Sequence, residues 1–502
     1  MTAGSGVVET HSGPVRGTST STVATWKGIP YAEAPVGPLR FRSPQPRAPW
    51  TEAFDATRFG PCEPQGRLAV IDLGADVRMD EDCLSVNIWA PVNASNKPVM
   101  VWIHGGAYFR GAGSQPLYDG THLAENGDVV VVTFNYRLGP FGFLDFSSLD
   151  GSFDSNVALR DMIAALEWVR DNIAGFGGDP ANVTLFGESA GGGAVTTLMT
   201  VPAAAGLFHR AIAQSSPATS MYGVDRAAGV AEKFCHILGG VDRLRSASAD
   251  ELSKAGDELF TAIPEASPGI LAYAPVVDGD LVPDSPVNAF RAGAAHPVPL
   301  IIGSNKDESS LFRLMKSPLM PIDPEIIRSM FGEIAKEQPD LELPTEQQLL
   351  SAYQSLSPLQ VGLGITRDFG FRLPTLWIAE AHSQRAPTWL YRFDYATPMF
   401  KLLRIGATHG SELAYVWGNI KHGPKDITYK LGGLKSAKKL TKRLQQRWTS
   451  FAHNGIPDTE PAWPAFDQEQ RATLVMDKQD RIDHDLDGTV RKAWGDQVIA
   501  FG

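Results

Sequence analysis

Asn182-Val183-Thr184-Leu185-Phe186-Gly187-Glu188-Ser189-Ala190-Gly191-Gly192-Gly193-Ala194-Val195-Thr196-Thr197-Leu198-Met199 decides the reading of this chain. Asn182 to Gly187 has the pattern of a short strand, and Ala190 to Met199 that of a helix opening on small residues. Between them, Gly187-Glu188-Ser189-Ala190-Gly191 has the form G-x-S-x-G. A chain with 49 glycines meets that form readily by chance, and an inert serine in a glycine-rich turn would satisfy it. The strand–turn–helix setting is what a nucleophile elbow requires. The two glycines let strand and helix approach closely around the serine. The helix N-terminus beneath it favours developing negative charge.

Outward from this stretch the same alternation continues. Upstream, Asn156 to Ile173 carries Leu159, Ile163, Leu166, Val169 and Ile173 on one helical face. Asp128 to Asn135 contains Val129–Val132, a β-branched run with the look of a fully buried strand. Val99 to Ile103 is a further apolar run, ending in His104-Gly105-Gly106. Strands alternating with helices predict an α/β fold with a mostly parallel central sheet and helices on both faces. Downstream, residues 217–274 and 312–371 are mostly helical in pattern and interrupt the strand candidates Pro299–Gly303 and Thr388–Phe393. They read as helical insertions roofing the end of the sheet where loops carry function. With no repeat or low-complexity linker, a single domain over residues 1–502 is expected.

An activated serine needs donors for a tetrahedral oxyanion. Trp102-Ile103-His104-Gly105-Gly106-Ala107-Tyr108 follows a strand candidate and has the H-G-G form that supplies backbone N–H groups. A plain glycine turn would look the same. Gly106 and Ala107, with Ala190 directly after the serine, are the candidate donors, each worth ~3–4 kcal/mol of transition-state stabilisation. Among eleven histidines, His409 stands in Gly406-Ala407-Thr408-His409-Gly410, a small-residue loop that leaves an imidazole unobstructed. His104 is the second candidate base, though its place beside the glycine loop suits a shaping role. The acid that orients the imidazole follows the serine and precedes the histidine in this chain order. Asp307 and Glu308, after Pro299–Gly303, satisfy that order. Their side chains diverge, so only one can face His409, and spacing does not choose between them.

Bulk properties exclude other classes. The chain has 502 residues, 43% hydrophobic and 20% charged, with a formal net charge of −11, which leaves no positive field for nucleic acid. Lys435 to Arg447 is locally basic, but Leu440, Leu444 and Trp448 recur every four residues. This predicts a surface helix packed by that stripe with its charges opposite. No apolar run approaches the ~18 residues of a membrane span. Met1 to Gly13 has neither a basic nor an apolar region of a secretory leader, so a cytoplasmic location is expected. Of the three cysteines, Cys62, Cys83 and Cys235, no two form Cys-x-x-Cys, and no His-Glu-x-x-His occurs, so no metal site is expected. Cys235 reads as a packing residue.

Taken in order, the motifs resemble the type-B carboxylesterase/lipase family, which includes bacterial esterases and cholinesterases. The likeness runs from Trp26-Lys27-Gly28-Ile29-Pro30-Tyr31-Ala32 through Glu81-Asp82-Cys83-Leu84, the His104-Gly105-Gly106 segment and Asn135-Tyr136-Arg137. It continues through Phe176-Gly177-Gly178-Asp179-Pro180, Phe186 to Gly192, Lys306-Asp307-Glu308 and His409-Gly410-Ser411-Glu412 to Trp463-Pro464. The resemblance implies the α/β-hydrolase fold and a Ser189–His409–Glu308 triad, with Gly106, Ala107 and Ala190 as the oxyanion hole. It also implies a Cys62–Cys83 disulfide, a closure of ~3 kcal/mol in an oxidising compartment that a reducing cytoplasm would leave open. Arg40 with Glu81, and Arg137 with Asp161, resemble the family's structural ion pairs. Ser309 and Ser85 depart from the residues common at their positions. No tryptophan lies between Cys62 and Cys83, so an aromatic site for a quaternary ammonium has no counterpart.

The expected activity is therefore hydrolysis of small to medium, largely apolar carboxylic esters through an acyl-enzyme, without a cofactor. A small-molecule ester is the expected partner, and the chain is expected as a monomer or weak homo-oligomer. Glu188 is expected to shape the electrostatics of the pocket or to serve structure alone. The segments near Ala262–Tyr273, Leu311–Met315 and Leu359–Phe371 are expected to line that pocket. A catalytically dead interaction protein of the same fold typically lacks a triad residue; all three are present here.

Overall fold

The apolar run that ends at Ile103 lies in the middle of a sheet, paired on both sides. The computed structural model describes residues 6–68, 71–354, 356–420 and 426–501. Among them one large sheet is built from β1 (Thr18–Ser19), β2 (Val23–Pro30), β3 (Ser85–Pro91), β4 (Lys97–Ile103), β5 (Val130–Phe134) and β6 (Gly178–Glu188). It continues with β7 (Arg210–Gln214), β8 (Leu300–Asn305), β9 (Thr388–Phe393), β10 (Ala472–Met476) and β11 (Arg481–His484). The spatial order is β11-β10-β9-β8-β7-β6-β4-β5-β3-β2-β1. From β10 to β5 every pairing is parallel. The strands beyond them at both edges are antiparallel. β6 starts four residues before the apolar run at Asn182, because Gly178 pairs with Lys97 across a bulge that precedes Val99.

Alternation along each strand divides the core between the two faces. Val99, Val101 and Ile103 of β4 join one buried cluster, with Val130, Val132 and Leu185. Met100 and Trp102 join another, with Val131, Phe186 and Ile212. Helix α1 (Val157–Asn172) covers the first face through Leu159, Leu166 and Val169. Helix α2 (Ala190–Leu198) begins directly after β6. Residues 217–274 contain α3 (Val224–Leu238) and α4 (Ala249–Ala266), and residues 312–371 contain α5 (Pro324–Glu337) and α6 (Pro358–Arg367). Cys235 is buried on α3, as expected of a packing residue.

On the second face lies α7 (Leu434–Asn454), with Leu440, Leu444 and Trp448 fully buried. Its charges are not all opposite that stripe. The Arg447 guanidinium is buried because it meets Asp480 at 2.5 Å and donates to the Glu460 carbonyl. The two expected scaffold pairs form: Arg40 meets Glu81 through two bonds of 2.7 Å, and Arg137 meets Asp161 in the interior.

Cys62 and Cys83, the expected disulfide pair, stand as separate buried thiols in this structure. Cys83 Sγ donates to Glu63 Oε2 at 3.3 Å, whereas the Cys62 sulfur faces Gln65 Nε2 at 3.9 Å. Burial pushes the Cys62 thiol up to about 12 and the Cys83 thiol higher than its ordinary value. Backbone bonds close the neck of the loop, from Cys62 N–H to the Arg78 carbonyl and from Asp80 N–H to the Cys62 carbonyl.

Candidate active site

Ser189 occupies the single-residue turn between β6 and α2, with φ 58° and ψ −127°. A side chain rarely adopts this backbone, at a cost of about 1–3 kcal/mol, and the neighbouring contacts hold it there. A Cβ on Gly191 would lie 2.1 Å from the Ile103 carbonyl oxygen, so only glycine lets α2 start this close to β4. The Ser189 N–H donates to the Gln214 carbonyl at the end of β7 at 3.0 Å. The hydroxyl is thereby presented above the C-terminal edge of the sheet.

The loop after β4 runs alongside. A Cβ on Gly105 would come within 3.0 Å of Ser189 Cβ. Gly106, Ala107 and Tyr108 follow with φ of 122°, 55° and 59°, a left-handed run that turns the backbone amides outward from normal pairing. Among the described residues the N–H groups of Gly106 and Ala107 find no acceptor. Ala190 is the first residue of α2, where an N–H has no intrahelical partner. His104 lies beneath this loop. Its Nδ1 is 2.9 Å from the Gly105 carbonyl, its ring stacks on Tyr136 at 4.4 Å, and the Tyr136 hydroxyl donates to the His104 carbonyl. Burial lowers its pKa to about 4, so it stays neutral and shapes the loop.

His409 Nδ1 is 2.7 Å from Glu308 Oε2. Glu308 is fully buried, and its other oxygen accepts the Ser215 hydroxyl and the Asn305 N–H, each at 2.6 Å. Asp307 turns the other way and accepts the Ala407 N–H at 3.0 Å, which ties the acid loop to the histidine loop. Of the two adjacent acids, Glu308 is the one whose side chain faces His409. The Phe312 and Phe371 rings lie 5.2 and 4.7 Å from the imidazole and shield it. His409 Nε2 has no hydrogen bond among the described residues, and Glu188 Oε1 lies 3.4 Å away. Ser189, His409, Gly106, Ala107 and Ala190 line one mainly apolar cavity of about 480 Å³. Ile270, Leu271, Leu311, Met315 and Phe369 come from the expected lining segments.

The carboxylesterase family model matches residues 4–494. The para-nitrobenzyl esterase of Bacillus subtilis (strain 168) is 40% identical over 499 residues, which is 97% of this chain and 98% of that protein. The chain belongs to the carboxylesterase family. A solved PNB esterase superposes with a TM-score of 0.82 at 39% identity, covering 98% of this chain and 100% of that one. The Geobacillus stearothermophilus carboxylesterase EST55 gives 0.84 at 36% identity, covering 97% and 100%. The fold is the α/β-hydrolase fold, and the enzyme is a serine carboxylic ester hydrolase.

This carboxylesterase surrounds one imidazole with three buried carboxylates, those of Glu188, Glu308 and Glu412. Burial raises Glu188 to about 8 and Glu412 to about 7. For His409, burial works against the charged form, but Glu188 and Glu308 outweigh it and lift its pKa to about 9. Like charges this close do not all ionise, so the cluster shares protons rather than each group titrating alone. Asn305 joins its parts. Besides its N–H to Glu308, its Nδ2 donates to the Thr408 carbonyl at 2.7 Å and to Glu412. Asn305, Ser215 and Glu412 were not singled out by sequence reasoning. Asn305 ends β8, Ser215 follows β7 and Glu412 ends the His409-Gly410-Ser411-Glu412 motif, and none has a spacing rule of its own. Ser309 bonds the Thr366 hydroxyl of α6 at 3.2 Å, joining the acid loop to the insertion.

Proposed function

We propose that Ser189 is the nucleophile, His409 the general base and acid, and Glu308 the group that fixes and compensates the imidazole. Ser189 Oγ attacks the ester carbonyl while His409 Nε2 takes its proton, and the N–H groups of Gly106, Ala107 and Ala190 receive the oxyanion. The alcohol leaves with the proton returned by His409 Nε2. Water, deprotonated at the same nitrogen, then attacks the acyl-enzyme; the Oγ–acyl bond breaks, Oγ takes the proton back from His409 Nε2, and the acid and free Ser189 are released. The observation that carries this reading is one imidazole with Nδ1 bound to a buried carboxylate and Nε2 unbonded, lining the same cavity as a serine in a strained elbow.

The apolar lining and the cavity volume support small to medium, largely apolar esters as substrates. We read residues 1–502 as one catalytic domain with insertions at 217–274 and 312–371, which the single large sheet supports. No helix among the described residues is long and apolar enough to cross a membrane. The test is p-nitrophenyl butyrate hydrolysis by the purified protein and by Ser189→Ala, with intact mass after a fluorophosphonate probe. Wild type turns over and gains one adduct; Ser189→Ala loses at least about 10⁴-fold in rate and gains none. An adduct retained by Ser189→Ala would place the nucleophile elsewhere.

A further inference from the structure

Between Lys401 and Lys442 the chain holds nine lysines and arginines against two acids, Glu412 and Asp426, although its formal net charge is −11. Neither acid offsets them at the surface. Glu412 is buried in the site, and Asp426 accepts the Thr428 N–H at 2.7 Å. Lys401, Arg404, Lys430, Lys435 and Lys438 are exposed and form no ion pair among the described residues.

The same surface holds apolar side chains in water. Leu402 is 68% exposed, Leu431 52% and Leu403 45%. The short helix Pro398–Leu402 follows the C-terminal end of β9, and Leu402 stands one turn from Pro398 on the same helix face. Gly433 packs against that proline: a Cβ there would come within 2.9 Å of Pro398 Cδ. The Gly433 carbonyl also accepts the Tyr395 hydroxyl at 3.1 Å. Leu431 precedes Gly433 by two residues, and Lys435 and Lys438 follow it on the exposed start of α7. Three leucines thus stand among five uncompensated cations. Exposed apolar groups gathered in this way mark a docking surface. The charge identifies what docks, because cations around aliphatic side chains complement an anionic headgroup layer over hydrocarbon. None of these residues lines the reaction cavity. The leucines project, which suits insertion into a yielding phase; a protein partner would instead need a pocket for its anchor.

We propose that this face docks on an anionic lipid bilayer, with Leu402, Leu403 and Leu431 inserted and the five cations among the headgroups. The inference holds whichever residue is the nucleophile. His409 follows Leu403 by six residues, and both belong to the C-terminal end of the sheet. Docking therefore brings the catalytic end of the enzyme to the phase in which apolar esters collect. Each cation near such a surface adds about fivefold in partitioning, the equivalent of roughly 1 kcal/mol.

The test needs no turnover. The purified protein is sedimented with vesicles of phosphatidylcholine alone, and of phosphatidylcholine mixed with phosphatidylglycerol, at low and high salt. Binding is expected with phosphatidylglycerol only, and weaker by about tenfold or more at high salt. Lys435→Glu with Lys438→Glu lowers the partition coefficient on the order of 25-fold or more. Leu402→Ser with Leu403→Ser lowers it about tenfold or more. Ile456→Ser is the control: Ile456 is 56% exposed beyond the far end of α7, roughly 30 Å away, and its loss changes binding less than about twofold. All these positions are exposed, and circular dichroism melts check that each variant is folded. Leu402→Cys carrying an environment-sensitive fluorophore reports insertion, through quenching by brominated acyl chains. Wild type that ignores phosphatidylglycerol vesicles at low salt overturns the proposal, as does equal binding by every variant or a fluorophore that stays unquenched. Sedimentation velocity without lipid tests the rival occupant. A dimer that Leu402→Ser with Leu403→Ser dissociates, in a protein that binds no vesicle, would assign the face to a second copy instead.

Discussion

At the scale of residues, the site is a proton-sharing cluster as much as a triad. In the proposed mechanism the base must be neutral to take the serine proton, and His409 is held protonated above the ordinary imidazole range by Glu188 and Glu308. The acidic limb of kcat/KM is therefore expected above the usual histidine region. Glu188→Gln takes the carboxylate 3.4 Å from Nε2 out of the proton-sharing cluster without removing bulk. The imidazole then releases its proton more readily, so the limb moves toward lower pH, by on the order of one unit. A profile from pH 5 to pH 9 on both enzymes checks this. A limb that stays in place would mean that Glu188 does not act on Nε2.

At the scale of elements, the stripe of α7 shows what periodicity reports and what it omits. Leu440, Leu444 and Trp448 were legible as a buried face because apolar residues recurred at helical spacing. Arg447 was not, since its burial depends on Asp480, which reaches it only after β10 and its turn are in place. Leu444→Ala leaves a cavity between α7 and the sheet, with an expected loss of ~2–5 kcal/mol. Lys442→Ala, on the exposed side, leaves stability unchanged. Chemical denaturation of the two variants, or their inactivation half-lives at one temperature, distinguishes these outcomes. Equal effects would mean that the stripe does not anchor the helix.

At the scale of the whole molecule, stability carries a signature of buried acids. Burial raises the Glu63 carboxyl well above its ordinary value, partly offset by the hydrogen bond from Cys83. The folded state then holds a proton that the unfolded chain has released, so stability is full below the unfolded pKa and falls as pH rises from there. One such proton gives a limiting slope of about 1.4 kcal/mol per pH unit. Glu63→Gln lacks this loss. Its melting temperature is expected to exceed that of wild type by a margin that grows between pH 5 and pH 8. A margin independent of pH would show that Glu63 is ionised in the fold.

The sequence by itself determined the alternation of strands and helices, the elbow at Ser189, the glycine loop before Ala107, and His409 as a loop histidine. These are local: strand period, glycine requirement and helix start are written within a few residues of one another. The choice of Glu308 over Asp307 came from family likeness. In space it comes from a register that turns Asp307 to Ala407 and Glu308 to His409, 101 residues away. Only the tertiary structure decided that Asn305 ties Glu308 to Thr408 and Glu412, and that the Arg447 guanidinium is buried against Asp480. Each depends on which side chains meet across long stretches of chain, and burial and pairing across such distances leave no period in the sequence to read.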